Sequence, residues 1–215
     1  MKKWMMILTV ALGCCILSCK KDGNGSSFCV NTIKNSPAKT ALSNSEMNTV
    51  KYLFDHNQLD YTKYLFTQLQ EDESGYHHVR CRQFANNLII FTGDAIFHFD
   101  ENDNYYSLSG NLITTINLNT KSSMKYDDVV KKYVELVTVD ETFDALTLED
   151  IIHGCFDVEF GYYDLHAGIS DTNENFTKAW KIKPTSNDYP YAYINDENAE
   201  TIYYDNGIRY ENTGI

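Results

Sequence analysis

Two adjacent asparagines, Asn86 and Asn87, sit inside "HHVRCRQFANNLIIFTGD" with strand-forming residues on either side and no Gly or Pro between them. After Gly, Asn is the residue that best tolerates positive φ, and a two-residue primed turn requires positive φ at its centre. The pair therefore predicts a tight hairpin and commits this part of the chain to an antiparallel sheet. Alternation along the first strand puts Arg80 and Arg82 on one face and Cys81 on the other, where a buried free thiol is expected.

Other segments extend this pattern. "AIFHF" alternates against "YYSLS" across the turn "DENDN", a second hairpin. Upstream, Ser45 offers an N-cap and Met47, Val50, Leu53 and Phe54 recur at helical spacing up to about Asn57. The first half thus reads as one helix laid on an antiparallel sheet. The second half repeats the order. Ser122 and Ser123 can cap a helix with Tyr126, Val129, Val130, Tyr133, Val134 and Val137 on one face. After an acidic stretch from Asp140 to Asp150 come four strand-like runs: "CFDVEFGYYDL", "FTKAWKIKP", "YPYAYI" and "ETIYYD". Tyr189, Tyr191 and Tyr193 recur every second residue, so their rings share a face, either as core beneath the helix or as an exposed interface.

The N-terminus sets the compartment. Two lysines precede an apolar run of 14 residues, Trp4 to Leu17, too short to span a bilayer. Leu17-Ser18-Cys19 closes it in the pattern of a lipoprotein signal, which makes Cys19 the expected lipidation site. The resulting location is the bacterial cell envelope, with a lipid anchor in the outer membrane or at the cell surface. Loss of residues 1–18 would remove Lys2 and Lys3 and no acid, taking the formal charge from -12 to -14. Such a chain is repelled by nucleic acid and by anionic lipid. Beyond Cys19 and Cys81, Cys29 and Cys155 are candidate disulfide partners, a pairing that sequence leaves open because it does not give their separation in space.

Chemical motifs are missing. The chain has no Gly-x-Ser-x-Gly, Walker loop, Cys-x-x-Cys or His-Glu-x-x-His. His77 and His78 are adjacent, so a strand sends them to opposite faces and away from a common metal. His153, Cys155 and Asp157 fall short of the four ligands of a closed zinc site. Asp100-Asn102-Asn104 and Asp171-Asn173-Asn175 begin like calcium loops, but Tyr105 and Phe176 stand where the loop needs Gly, and Asn111 and Ile182 where it needs Glu. No catalytic residue, metal or cofactor is expected.

The stretch "HVRCRQFANNLIIFTGDAIFHFDENDNYYSLSGNL" resembles the propeptide module of thermolysin- and fungalysin-type metalloproteases, the FTP domain. His78, Val79, Arg80, Gln83, Asn87, Gly93, Asp94, Ser109 and Gly110 occupy that module's places. "AWKIKPTSNDYPYAYINDENAETI", with Trp180, is similar to the ending of a PepSY domain. Asn87 stands where the family usually has Gly, Ile89 where it has Pro, and Ala199 or Glu200 where the acidic turn has Gly. The resemblance implies an α+β fold of two helix-on-antiparallel-sheet (cystatin-like) lobes, FTP-like and then PepSY-like. The divisions expected are a signal peptide over 1–18, a lipidated Cys and flexible tether over 19–44, and lobes over 45–120 and 121–215.

A propeptide module without a protease implies a non-catalytic protein that binds a secreted metalloprotease, or another envelope protein, as an inhibitor or folding chaperone. The alternative is a general envelope-binding or structural lipoprotein that recognises a peptide or glycan. Arg80 and Arg82 on one strand, and Tyr189, Tyr191 and Tyr193 on another, are the candidate interface residues.

Overall fold

A computed structural model describes residues 28–34, 40–110, 112–113, 116–167 and 175–209. Residues 1–27 lie outside it, and with them the signal peptide and Cys19, as does Asp171-Asn173 of the second calcium-like loop. The fold is α+β. Among the described residues the order is β1 (Cys29–Lys34), α1 (Asn44–His56), β2 (Tyr64–Glu71), β3 (His77–Ala85), β4 (Leu88–Phe99), β5 (Tyr105–Gly110), α2 (Tyr126–Thr138), α3 (Ala145–His153), β6 (Cys155–Asp164), β7 (Phe176–Pro184), β8 (Tyr191–Asn195) and β9 (Thr201–Asp205).

Helix α1 starts two residues earlier than the sequence suggests, because Ser43 and Glu46 form a reciprocal capping box that Ser45 cannot make. It buries Val50, Leu53 and Phe54 against Phe66, Val79, Cys81, Ala95, Phe97 and Phe99, the first core. Phe54 is its hub, with ring centroids 4.8 Å from Phe97, 5.1 Å from Phe66 and 5.8 Å from Phe99. Truncating such a side chain costs about 3–5 kcal/mol. Helix α2 lays Val129, Val130, Tyr133 and Val137 on Phe156, Val158, Phe160, Trp180, Ile182, Ala192 and Ile194, the second core.

The strands join into one sheet of order β2-β3-β4-β6-β7-β8-β9, with β5 added to β4 and β1 to β6. The seam between the halves is a parallel pairing of only Ile89 with Gly161 and Ile90 with Tyr162. A register jump makes it: on β4, Asp94 pairs with Arg82 and Ile89 with Phe84, so the bulged residues between them have no partner on β3. Gly93 lies in this bulge, where a Cβ would come 3.0 Å from Ile90 Cβ and 3.2 Å from Gln83 Cβ. Gly161 answers it across the seam, where a Cβ would come 2.5 Å from Ile89 O.

The three helices among the described residues lie on one side of the sheet. Val79 and Cys81 of β3 enter the first core, and Ala85, on the same face of the same strand, packs against the second. The other face carries no helix among the described residues.

Three expectations need correction. Residues 29–34, placed in the tether, form β1 in parallel with β6, because Val30 packs into the second core and Cys29 is disulfide-bonded to Cys155. The same bond removes Cys155 as a zinc ligand. The acidic stretch from Asp140 to Asp150 contains α3, capped by Asp144 onto Thr147 N at 2.8 Å. Ser122 and Ser123 do not cap α2, whose N-cap is Lys125 without a side-chain bond. Instead, Ser122 Oγ and the amides of Ser123 and Met124 donate to the buried Asp196 carboxylate at 2.7, 2.7 and 3.1 Å.

Candidate functional site

The hairpin turn has φ of 50° at Asn86 and 64° at Asn87, the primed geometry expected of the pair. Asn86 Nδ2 also donates to Ile116 O at 3.2 Å and Tyr162 OH at 3.4 Å, tying the turn to the second core. Buried Gln83 donates to Gly93 O at 3.3 Å and accepts from Ile113 N at 2.8 Å, pinning the bulge to the segment after β5. Gly110 has φ of 96°, and a Cβ there would come 2.5 Å from Asp94 O. Of the other motif positions, Val79 is core, Asp94 Oδ1 is 3.3 Å from Arg82 Nε, and Ser109 Oγ is 2.9 Å from His98 Nε2. Trp180 packs in the second core and donates its indole N–H to Asp196 at 2.9 Å. These residues build the hairpin and the seam; His78 and Arg80 point to the helix-free face.

That face unites what sequence left on separate strands. Tyr191 and Tyr193 face away from α2, because Ala192 and Ile194 take the core positions of β8. Their placement is half-buried and superficial, so core packing beneath the helix is excluded. Pro190, without an N–H, precedes β8, and Tyr189 falls outside the strand at 41% exposure, yet its ring remains 5.5 Å from Tyr191. Tyr191 continues to Tyr203 at 5.9 Å and Tyr193 at 5.8 Å, and Tyr193 to Tyr163 at 4.9 Å and Phe91 at 5.0 Å. The result is an aromatic ladder running from β8 and β9 to the seam. Burial, and then the proximity of Tyr203, push the Tyr191 phenol up to about 12, so this hydroxyl stays a neutral donor at physiological pH.

Lys181 projects from β7 into this ladder, its amine 5.0 Å from the Tyr191 ring centroid and 5.6 Å from that of Tyr193. Burial, followed by nearby Arg82, lowers its pKa. Lys34, Arg82, Lys181 and Lys183, with Asp157 and Glu159, line a hollow of about 190 Å³ across the seam. Arg82 thus stands beside the tyrosines on one continuous surface, while Arg80 is exposed farther along β3. Sequence reasoning missed Lys181, Lys183, Tyr163, Tyr203 and Phe91. The alternation Lys181-x-Lys183 opposite Trp180 and Ile182 was the signal for the two lysines.

Among the described residues no group of three or more His, Cys, Asp or Glu side chains is arranged to hold a metal. Asp100 Oδ1 accepts from Asn102 N and Asn104 N at 2.9 Å each, so the first calcium-like loop is a hairpin turn held by its own carboxylate.

A bulged hairpin under one helix, continued by a second helix-covered stretch of sheet with its other face open, defines a helix-on-sheet module of the α+β class. Residues 67–112, from β2 to just past β5, match the family model of the Fungalysin/Thermolysin Propeptide Motif (FTP). The match likens this part of the chain, from β2 to the segment just after β5, to a propeptide motif. No curated protein matches the chain. Among solved structures it is similar to the Bacillus megaterium YpeB C-terminal domain, with 11% identity over 79% of this chain and 67% of that one, at a TM-score of 0.33.

Proposed function

We propose that this chain is a propeptide-like binding protein that docks a secreted metalloprotease through its open sheet face, and so inhibits the protease or assists its folding. The observation that carries this reading is the FTP match on residues 67–112, together with the hairpin geometry that the motif residues build there. Docking needs surface complementarity alone, and the face offers rigid aromatic area with Arg80, Arg82 and Lys181 around it. Its charge is mixed, whereas the whole chain carries -12. Steering at long range therefore favours a basic partner, while the contact itself can accept carboxylates at the lysines. The aromatic ladder favours one second reading, recognition of a peptide or glycan in the envelope by the same tyrosines.

The test mixes the soluble protein with co-occurring secreted metalloproteases and follows peptide cleavage and refolding yield. Inhibition or improved refolding, reduced at least tenfold in apparent affinity by an Arg82→Ala, Lys181→Ala, Tyr193→Ala triple variant, is expected. No effect on either readout at low salt would discard the protease reading in favour of envelope recognition. We also propose that Cys19 carries the lipid anchor. Cys19→Ala is expected to move the protein from the membrane to the soluble fraction, and unchanged partition would refute it.

A further inference from the structure

His78 on β3 and His98 on β4 are direct cross-strand partners on the open face. Their rings meet at 72° and their Nδ1 atoms lie 2.7 Å apart. The outer nitrogens are engaged as well: His78 Nε2 is 3.4 Å from Asp72 Oδ2, and His98 Nε2 is 2.9 Å from Ser109 Oγ. The four side chains form a chain from the β2–β3 turn, across β3 and β4, to the edge strand β5.

Counting protons along this chain limits its charge. Two lone pairs cannot face each other at such a separation, and neither can two N–H groups, so one proton lies between the Nδ1 atoms. The Asp72 carboxylate only accepts, so His78 bonds it only by carrying a proton on Nε2. Either ring can supply that proton: with His98 donating from Nδ1, Ser109 donates its hydroxyl to His98 Nε2 and both rings are neutral, whereas with His78 donating, His98 donates from Nε2 to Ser109 and the pair carries one positive charge. All contacts are satisfied in both states. A second positive charge has no place that preserves the central bond.

We propose that the Asp72–His78–His98–Ser109 chain is a proton-sensitive latch: it holds while one proton lies between the two imidazoles, and a second proton there splits it, loosening β5 and charging the docking face. The surroundings support this direction. Arg80 shares the face of His78, Asp94 is occupied by Arg82, and β2 offers only neutral Gln68 and Gln70. From β5 come Ser107 and Ser109, and Tyr106 with its ring 5.9 Å from His98; behind it Tyr76 hydrogen-bonds Glu101. Asp72, already holding the amides of Ser74 and Tyr76, is the one carboxylate in contact with the pair. Burial, and then the charge on His78, lower the pKa of His98, so the second step lies on the acid side of an ordinary histidine. A docked partner would have to dehydrate that extra charge, so docking weakens as the pH falls through the step.

The latch can be tested on the purified protein alone; only its effect on docking rests on the function proposed above. Nitrogen-resolved NMR of the imidazoles between pH 4 and 8 is expected to show both rings responding at the same two steps, and His98→Gln, which can still accept from His78 and donate to Ser109, should leave His78 with one step. Hydrogen-exchange protection of Tyr105–Gly110, corrected for intrinsic rates, should fall at least tenfold through the acid step in wild type and stay level in His98→Gln. Ser109→Ala provides a second variant, with coupled rings but lower β5 protection throughout. Independent titration of the two rings, or β5 protection unchanged through the step, would overturn the latch. Coupled titration with no metalloprotease docking at any pH would sink the partner reading and leave the latch standing.

Discussion

Asp196 offers the sharpest test of how the second half is held together. It is fully buried; its Oδ1 accepts from Ser122 Oγ, Met124 N and Trp180 Nε1, and its Oδ2 accepts from Ser123 N with Lys178 Nζ 3.3 Å away. Lys178 is 4% exposed and also donates to Lys121 O at 2.9 Å. Asp196→Ala leaves a buried ammonium without its counter-charge and orphans donors from the segment before α2 and from β7, for which about 3–5 kcal/mol is the expected loss. For a domain of this size about 1 kcal/mol corresponds to about 2–4 °C, so the melting temperature should drop by roughly 6–20 °C. Thermal and urea unfolding at pH 7 measure it. Adding Lys178→Met to Asp196→Asn should recover part of the loss, because it removes the stranded charge together with its partner. Burial raises the Asp196 pKa, but the bonds from Ser122, Ser123, Met124 and Trp180 outweigh it, and the net shift is downward. A carboxylate depressed in the folded state stabilises above its unfolded value of about 3.9 and loses that contribution as pH falls toward the folded value. The acid limb of the stability curve should therefore flatten in Asp196→Asn. A cost below about 1 kcal/mol for Asp196→Ala would refute the account of this network as the clamp on the α2 approach.

Other perturbations have equally definite outcomes. Asn87→Val puts a β-branched residue at φ of 64° and should cost about 1–2 kcal/mol in urea unfolding, while Asn87→Gly should be neutral or slightly stabilising; equal midpoints would remove the primed turn. Ala199 has φ of 58°, so Ala199→Gly should raise stability by up to about 1 kcal/mol, and a loss would refute the strain. The Cys29–Cys155 bond spans a sequence separation of 126, so Cys29→Ser should lose about 2–5 kcal/mol and erase the effect of reductant on the melting temperature.

The hairpin was legible because its turn chemistry, alternation and apolar faces all agree, and α1 and α2 were legible from their buried stripes. Of Ala199 and Glu200, the two residues compared with Gly in the acidic turn, Ala199 takes positive φ. Helix α3 escaped notice because Ile151 is its sole buried residue, too thin a stripe to show among acids. Strand β1 was hidden by a polar segment whose partner lies 126 residues away. The joining of Arg82 with Lys181 and the tyrosines depends on a seam of two residue pairs, and a long-range parallel contact has no local signature. His98 was equally invisible as a partner of His78, since only the β3–β4 register sets them opposite each other.

The seam also dictates an order of assembly. Leu88 and Ile90, on the tip of the first hairpin, are members of the second core, as are Phe28 and Val30 at its margin. A ribosome delivers these residues before any strand of the second half exists. The early hairpin can then present a ready edge on which β6 aligns, in the manner of a template. The later residues, released without the earlier ones, would have a core short of its first-made walls and β6 with an unpaired flank. Such a fragment is expected to aggregate, whereas supplying the first half in trans should rescue it to the extent that the hairpin tip alone can seed the sheet.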